Sequence, residues 1–476
     1  MISAPSHRQQ SSGNKLFWAL CLVFFSCSVS KKSAQTKPVQ IVNGKKIEQK
    51  SAIDTIQPVD GNVIATKENP VVKIPNQSKP DTSGIKDTSM KKPEATDVME
   101  SQYEESTDFK KSYNVKLLIP LNADGIADPA SSRFVHFYAG VLKGLKELDE
   151  EGVKLKITVI DTEIDNYKIA EDLYNIVDSG TDMVIGPFER DDLKLLTEEC
   201  KIRSIPLVSP WQTSTKLTKE NPYYIQLNPN LKEHYVKLAE TAVNMYQPGE
   251  VVIVGKNTKE TNSWIKYFQQ TAFDQIKTKD FFSSYFVSSD SLSTGPTAFY
   301  TMLKNPKVKA VILPQYSYTD EDLLYSCLRR LSAEKGSRNI SVFGMPILFD
   351  SDKIDFDFYH ALQMKVVMSD FVDENYGLIR DFRRDFLDKY GEIPEPDAIK
   401  GYDIIMYLGR NIWRNGKNFQ NHLSDQVSVY LQSTFDIHKV KSEDSLIADD
   451  PLKFDYFENK HLDIIEFKGN KWQRKP

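Results

Sequence analysis

The chain has 476 residues, 40% of them hydrophobic and 27% charged, enough for two or three domains that each bury a core of their own. One apolar run stands out, residues 16–26. It falls short of the roughly 20 residues a membrane-spanning helix needs, which excludes a polytopic membrane protein. The formal charge of −5 is unevenly spread: residues 1–114 hold 16 Lys+Arg against 12 Asp+Glu, net +4, leaving 45 against 54, net −9, for 115–476. A body of that sign repels phosphate backbones, so nucleic acid is not an expected partner. Of the four cysteines, Cys21 and Cys27 belong to the apolar run and its border, leaving Cys200 and Cys327 for the body. A disulfide-stapled scaffold is thereby excluded. The last two either pair or stand as buried thiols in separate elements, the ordinary fate of cysteine.

The amino terminus has the layout of a secretory signal. Arg8 and Lys15 precede the apolar run, and the small residue Ser26 stands directly before Cys27. The Ser26-Cys27 step followed by Ser28-Val29-Ser30 resembles the lipobox of bacterial lipoproteins, with Phe24 where most boxes carry Leu, as in the looser Bacteroidota type. The resemblance implies lipidation at Cys27 after removal of the signal; the alternative is an ordinary signal peptide cleaved nearby. Because Ser28 is not the Asp associated with inner-membrane retention, the resemblance also implies an outer-membrane lipoprotein. No acidic run follows Cys27, so the expected orientation faces the periplasm.

Residues 28–114 are rich in Lys, Ser, Thr, Pro, Asp and Gln, with no aromatic side chain between Phe25 and Tyr103. Such a segment cannot build a core and is expected to be a disordered tether. As a random coil it would span about 50 Å, from about 5–6 Å times the square root of its length.

From 115 the texture changes to alternating apolar runs and amphipathic stretches. Strands are predicted over 115–120, 155–160, 183–185 and 206–208, with helices over 134–149, 167–179 and 191–201 between them. Gly140 and Gly144 share a face of the first helix. The rhythm then repeats. Helices over 231–246, 261–273, 298–303 and 320–331 alternate with strands over 250–254, 281–287, 308–313 and 340–343. Strict alternation argues for two α/β lobes with parallel sheets and helices on both faces. The domain boundaries read as lobe 1 over 115–230, lobe 2 over 231–369, a return to lobe 1 over 370–435 and a segment over 436–476 that crosses or closes the lobes. Two late helices, 376–390 and 397–415, must pack on one lobe or bridge both, and 462–467 reads as a final strand.

Several punctuation marks over 115–476 resemble the type I periplasmic binding protein family, branched-chain amino-acid receptor type. They are Pro120-Leu121 followed by Phe137-Tyr-Ala-Gly140, Ile185-Gly-Pro187 before a helix, Ile205-Pro-Leu-Val-Ser-Pro210 with Thr213, Asn221-Pro-Tyr-Tyr-Ile-Gln226, and Lys389-Tyr-Gly391, Pro394 and Gly401-Tyr402-Asp403. The resemblance implies two Rossmann-like lobes joined by crossover hinge strands, near 224–227 and 366–371, closing on a solute.

In open α/β sheets a ligand sits beyond the carboxyl ends of the strands, where helix N-termini favour anions. The resemblance places hydroxyls of the third and fourth loops against a ligand's carboxylate and amine. Here the fourth loop keeps Ser209 and Thr213, which either hold ligand or cap a helix starting near Thr215. The third loop departs from the pattern with Phe188-Glu189-Arg190-Asp191, and Trp211-Gln212 replace small residues. Either the ligand is altered, with Arg190 receiving a carboxylate, Glu189 or Asp191 an amine and Trp211 a ring, or the bulk fills the cleft. The facing lobe is expected to contribute from Lys256-Asn257-Thr258, Gln315-Tyr316 and 346–349. Tyr316 is the preferred contact, against the alternative of a half-buried aromatic at a strand end.

No His-Glu-x-x-His, Gly-x-Ser-x-Gly, phosphate loop or Cys-x-x-Cys occurs, and the seven histidines never fall at metal-ligand spacing. No enzyme, metal or cofactor is expected. Two functions remain. One is a lipid-anchored receptor for a small carboxylate-bearing ligand, an amino acid or short peptide. The other is an outer-membrane lipoprotein that docks on a cell-wall (peptidoglycan) synthesis protein and binds no solute; fold likeness alone does not choose between them.

Overall fold

The computed structural model describes residues 47–48, 109–123, 125, 129–164, 166–293, 297–441 and 453–475. The expected signal, the lipobox at Cys27 and nearly all of the expected tether lie outside the described residues.

Seventeen strands are described: β1 (Ile47–Glu48), β2 (Tyr113–Ile119), β3 (Leu155–Asp161), β4 (Met183–Ile185), β5 (Leu207–Ser209), β6 (Tyr224–Gln226), β7 (Val251–Gly255), β8 (Ser283–Phe286), β9 (Ala310–Leu313), β10 (Ser341–Gly344), β11 (Lys365–Met368), β12 (Ser428–Val429), β13 (Thr434–Phe435), β14 (Ile437–Val440), β15 (Tyr456–Asn459), β16 (Asp463–Lys468) and β17 (Lys471–Arg474). The helices are α1 (Pro129–Glu150), α2 (Ile169–Ile176), α3 (Arg190–Arg203), α4 (Leu231–Met245), α5 (Lys259–Ile276), α6 (Ser289–Ser293), α7 (Tyr300–Leu303), α8 (Glu321–Glu334), α9 (Ile347–Asp350), α10 (Phe356–Ala361), α11 (Gly377–Tyr390) and α12 (Pro396–Asn415).

The first sheet runs β1-β3-β2-β4-β5-β6-β15-β14 and the second β17-β16-β11-β10-β9-β7-β8. In the first sheet β2–β6, and in the second β7–β11, pair in parallel with order 2-1-3-4-5, the doubly wound arrangement. Both strands at the heart of these sheets, β2 and β7, are buried nearly throughout, because helices cover both faces. One apolar core fills the second lobe. The first lobe has a core on each face of its sheet.

The late helices settle on the first lobe. α12 lies along α1, and the contact depends on two glycines: a Cβ on Gly140 would overlap the Ala398 carbonyl oxygen, and one on Gly401 the Phe137 carbonyl oxygen. Asp403, fully buried in α12, accepts backbone N–H bonds from Leu431 (3.1 Å), Gln432 (2.9 Å) and Ser433 (2.9 Å), pinning the turn between β12 and β13. Cys200 in α3 and Cys327 in α8 are free buried thiols in different lobes, each pushed up to about 12 by burial. No helix starts near Thr215. The segment from Pro210 to Tyr223 is irregular, because Thr218 and Asn221 spend their side chains locally, Asn221 Nδ2 donating to the Thr197 carbonyl (3.1 Å) and the Thr218 hydroxyl (3.2 Å).

The chain passes between lobes three times, from β6 to α4, from β11 to α11 and from β15 to β16. Two crossings share one carboxylate. Glu458, fully buried in β15, accepts from the backbone N–H (2.8 Å) and Nδ2 (2.7 Å) of Asn230, from the Tyr456 hydroxyl (3.2 Å) and from Lys460 (3.0 Å). Lys460 reaches on to Glu233 in α4 (2.8 Å). Arg474 ties the remaining crossing, donating to the carbonyls of Phe371 (3.0 Å) and Gln432 (3.1 Å) and to Asp463 (2.8 Å).

Candidate binding groove

Beyond the carboxyl ends of both sheets lies a groove of ≈ 1080 Å³, with two of the three crossings, β6 to α4 and β15 to β16, at its floor. Its first wall carries Arg190 at the start of α3 and the hydroxyls of Thr213, Ser214 and Thr215 from the irregular segment after β5. The opposite wall carries Glu260, Ser263, Trp264 and Tyr267 from the first turns of α5, Tyr316 and Tyr318 from the loop after β9, and Asp350 at the end of α9. Hydroxyls, the Arg190 guanidinium and Lys216 on one wall thus face aromatic rings, two carboxylates and the ammonium groups of Lys232 and Lys259 on the other.

Of the seven residues expected to meet a ligand, Arg190, Thr213 and Tyr316 line this groove. Tyr316 is 43% exposed, edge-on to Trp264 with centroids 5.9 Å apart, and Glu260 lies within electrostatic reach of its hydroxyl. The other four do not line it. Ser209 is fully buried at the end of β5, beside Tyr224. Trp211 turns into the first lobe's own core, 5.1 Å from Phe137, 5.6 Å from Phe134 and 5.9 Å from Phe188. Phe188 is half-buried against Phe134 (5.0 Å), with the Arg133 guanidinium over both rings. Glu189 is exposed at the N-cap of α3 and makes no capping bond. The bulky substitutions therefore fill the inside of one lobe and leave the groove between lobes open. Aromatic burial of this kind, about 150–250 Å² per ring, is worth more in a core than in a wet cleft.

Among the facing-lobe residues expected near a ligand, Lys256 pairs with Asp320 (2.5 Å) and Thr258 caps α5 through Thr261 N–H (3.1 Å). Gln315 is buried with its amide on the Val254 carbonyl (3.3 Å), and Phe349 packs on Trp472 (5.4 Å). Pro346 and Ile347 do line the groove. The sequence reading missed Ser214, Thr215, Glu260, Ser263, Trp264, Tyr267, Tyr318 and Asp350. A usable signal was Thr258, an N-cap residue just past β7, which aims the start of α5 at the groove.

Two groups in the groove are electrostatically unusual. His234, buried in α4 with Nδ1 on the Asn230 carbonyl (3.0 Å), is pushed down by burial. Asp350 opens to the groove's water yet has protein on most sides, and that crowding pushes its carboxyl up to about 6. Among the described residues, no group of three or more His, Cys, Asp or Glu is placed to hold a metal, and no helix is long and apolar enough to cross a membrane.

No protein-family model matches the chain, and no curated protein matches it. Solved structures do. A putative branched-chain amino acid ABC transporter protein from Rhodospirillum rubrum is 16% identical with a TM-score of 0.55, covering 76% of this chain and 100% of its own. A branched-chain amino acid ABC transporter periplasmic ligand-binding protein from Burkholderia xenovorans is 11% identical with a TM-score of 0.52, covering 76% and 94%. The C-domain of LpoA from Haemophilus influenzae, a regulator of PBP1A, is 11% identical, covers 76% and 100%, and at a TM-score of 0.49 is too distant to bear on function. With the two doubly wound sheets and three crossings, these likenesses show the type I periplasmic binding protein fold.

Because Asp350 binds its proton more tightly in the native state than at the ordinary 3.8, stability falls as pH rises from about 4 through about 6 and levels above 7. Asp350→Asn removes that fall. The variant's melting midpoint is expected to match the parent's at pH 4 and exceed it by about 1–2 °C at pH 8. Parallel midpoint curves across that range would show that the carboxyl titrates normally.

Proposed function

We propose that this chain is a periplasmic solute-binding protein, anchored to the outer membrane through a lipid on Cys27, whose lobes close on a small carboxylate-bearing ligand, an amino acid or short peptide. The open groove carries the reading: it is of small-molecule size, lies at the carboxyl ends of both sheets, and presents Arg190 with three hydroxyls to a carboxylate. The aromatic wall opposite supplies apolar area, and the crossings at the floor supply hinges. In this reading the Phe188 and Trp211 substitutions remove the fourth-strand serine from recognition and shift it outward to Thr213, Ser214 and Thr215.

Thermal unfolding of the purified protein against amino acids, short peptides and cell-wall fragments tests it. A ligand at a hundredfold excess over its Kd contributes about 2.7 kcal/mol, a rise of a few degrees. Arg190→Ala with Thr213→Ala is expected to abolish the rise, while Trp211→Ala costs about 3–5 kcal/mol of stability and leaves the ligand-induced rise intact. No rise across the panel contradicts the receptor reading and favours a protein that docks on cell-wall synthesis machinery. The anchor has its own test: growth with an alkynyl fatty acid labels the protein, and Cys27→Ala removes the label; persistent labelling would place the lipid elsewhere.

A further inference from the structure

The groove's walls differ in chemistry in a way that selects among carboxylate ligands. The charged groups that the first lobe's side loops and strand ends place on it are all cations: Arg190, Lys216 and Lys441. At the floor, Glu458 and Glu233 share the single ammonium of Lys460, at 3.0 and 2.8 Å, so that trio keeps one net negative charge between the walls. The second lobe's wall pairs carboxylates with tyrosines instead. Glu260 lies within electrostatic reach of the Tyr316 hydroxyl, and Asp350 within that of Tyr318. Trp264 backs Tyr316, and the two tyrosine rings are 43% and 63% exposed. This wall also carries Lys259, beside Glu260 at the start of α5, and Lys232, which lies over the Tyr267 ring at 5.3 Å.

Aromatic rings edged by carboxylates are a surface for an ammonium group, through its attraction to ring faces within about 6 Å and its charge-assisted bonds to carboxylate. A guanidinium beside hydroxyls is a surface for a carboxylate. An α-amino acid carries both charges on one carbon, whereas a peptide with free ends sets them apart, so that each charge can meet the wall whose chemistry suits it. We propose that the groove takes a short peptide with free ends, its C-terminal carboxylate on Arg190 and Thr213 and its N-terminal ammonium against Tyr316, Tyr318, Glu260 and Asp350. The inference rests on the receptor reading and narrows it. An extended tripeptide spans about 10 Å, at about 3.3–3.6 Å per residue, and the ≈ 1080 Å³ groove holds it with room for side chains.

The test is calorimetric titration of the full mature protein with free amino acids and with tripeptides bearing alanine, leucine or tyrosine at the centre, each also as its N-acetyl and its C-amide form. Free tripeptides are expected to bind at least tenfold tighter than any free amino acid, and each blocked form to lose at least tenfold. Glu260→Gln and Asp350→Asn should weaken the free-ended and C-amide peptides and leave the N-acetyl ones unchanged. Arg190→Gln should weaken every peptide except the C-amides. Coupling of this kind is not produced by a variant that merely destabilises the fold. Binding of a free α-amino acid as tight as the peptides, or indifference to N-acetylation, overturns the peptide assignment and leaves the receptor standing. Absence of heat and of any melting shift with every probe overturns both.

Discussion

The Glu458 carboxylate is removed from water entirely, and its burial is tolerable only because four donors converge on it. Two of those donors belong to Asn230, the residue that also caps α4 through its side chain on Glu233 N–H (3.2 Å). One carboxylate therefore fixes the N-cap of the second lobe's leading helix to a strand of the first lobe's sheet. Lys460 extends the same network to Glu233 and into the strand that leaves for the second sheet. Two of the three crossings cannot move independently while these bonds hold. In the proposed receptor, the lobes would rotate about this pinned line.

That constraint also explains why the groove lies where it does. With these two crossings held together at its floor, the carboxyl ends of two doubly wound sheets face each other across open water. Helix starts and strand-end loops of both lobes then supply the walls, the general site of ligand binding in such sheets. The first lobe adds rigidity of its own. α1 and α12 meet through Gly140 and Gly401, and the aromatic cluster of Phe134, Phe137, Phe188 and Trp211 fills the space beneath the loops that carry Arg190 and Thr213. Side chains on these loops are thereby presented from a packed base.

The alternation of buried runs and amphipathic helices was legible from residue 115 onward because each βαβ unit carries both periods locally. β15 was not. Its charged Glu458 reads as a surface residue, and the partner that makes burial possible, Asn230, lies 228 positions earlier. β11 was read only as part of a crossover, its apolar run of three residues, Val366 to Met368, being too short to separate strand from hinge. At the site, Arg190, Thr213 and Tyr316 were legible as residues at strand ends. Trp211 and Ser209 occupy equally suggestive positions, but position in a loop does not say which way a side chain turns. Trp211 turns inward because Phe134 and Phe137 of α1 offer it a dry pocket. The aromatic wall escaped notice because Trp264 and Tyr267 also satisfy the ordinary pattern of a core-facing helix.

The central claim is that the walls approach each other when the groove is filled. Lys194 in α3 and Asn262 in α5 are exposed and stand within about one helical turn of groove-lining residues on opposite lobes. Pulsed electron-spin distances between labels at Lys194→Cys and Asn262→Cys, taken with and without the ligand that raises the melting midpoint, measure that approach directly. A shorter, narrower distance distribution on binding is the predicted result. An unchanged distribution in a protein whose midpoint does rise would contradict closure about the Glu458 line.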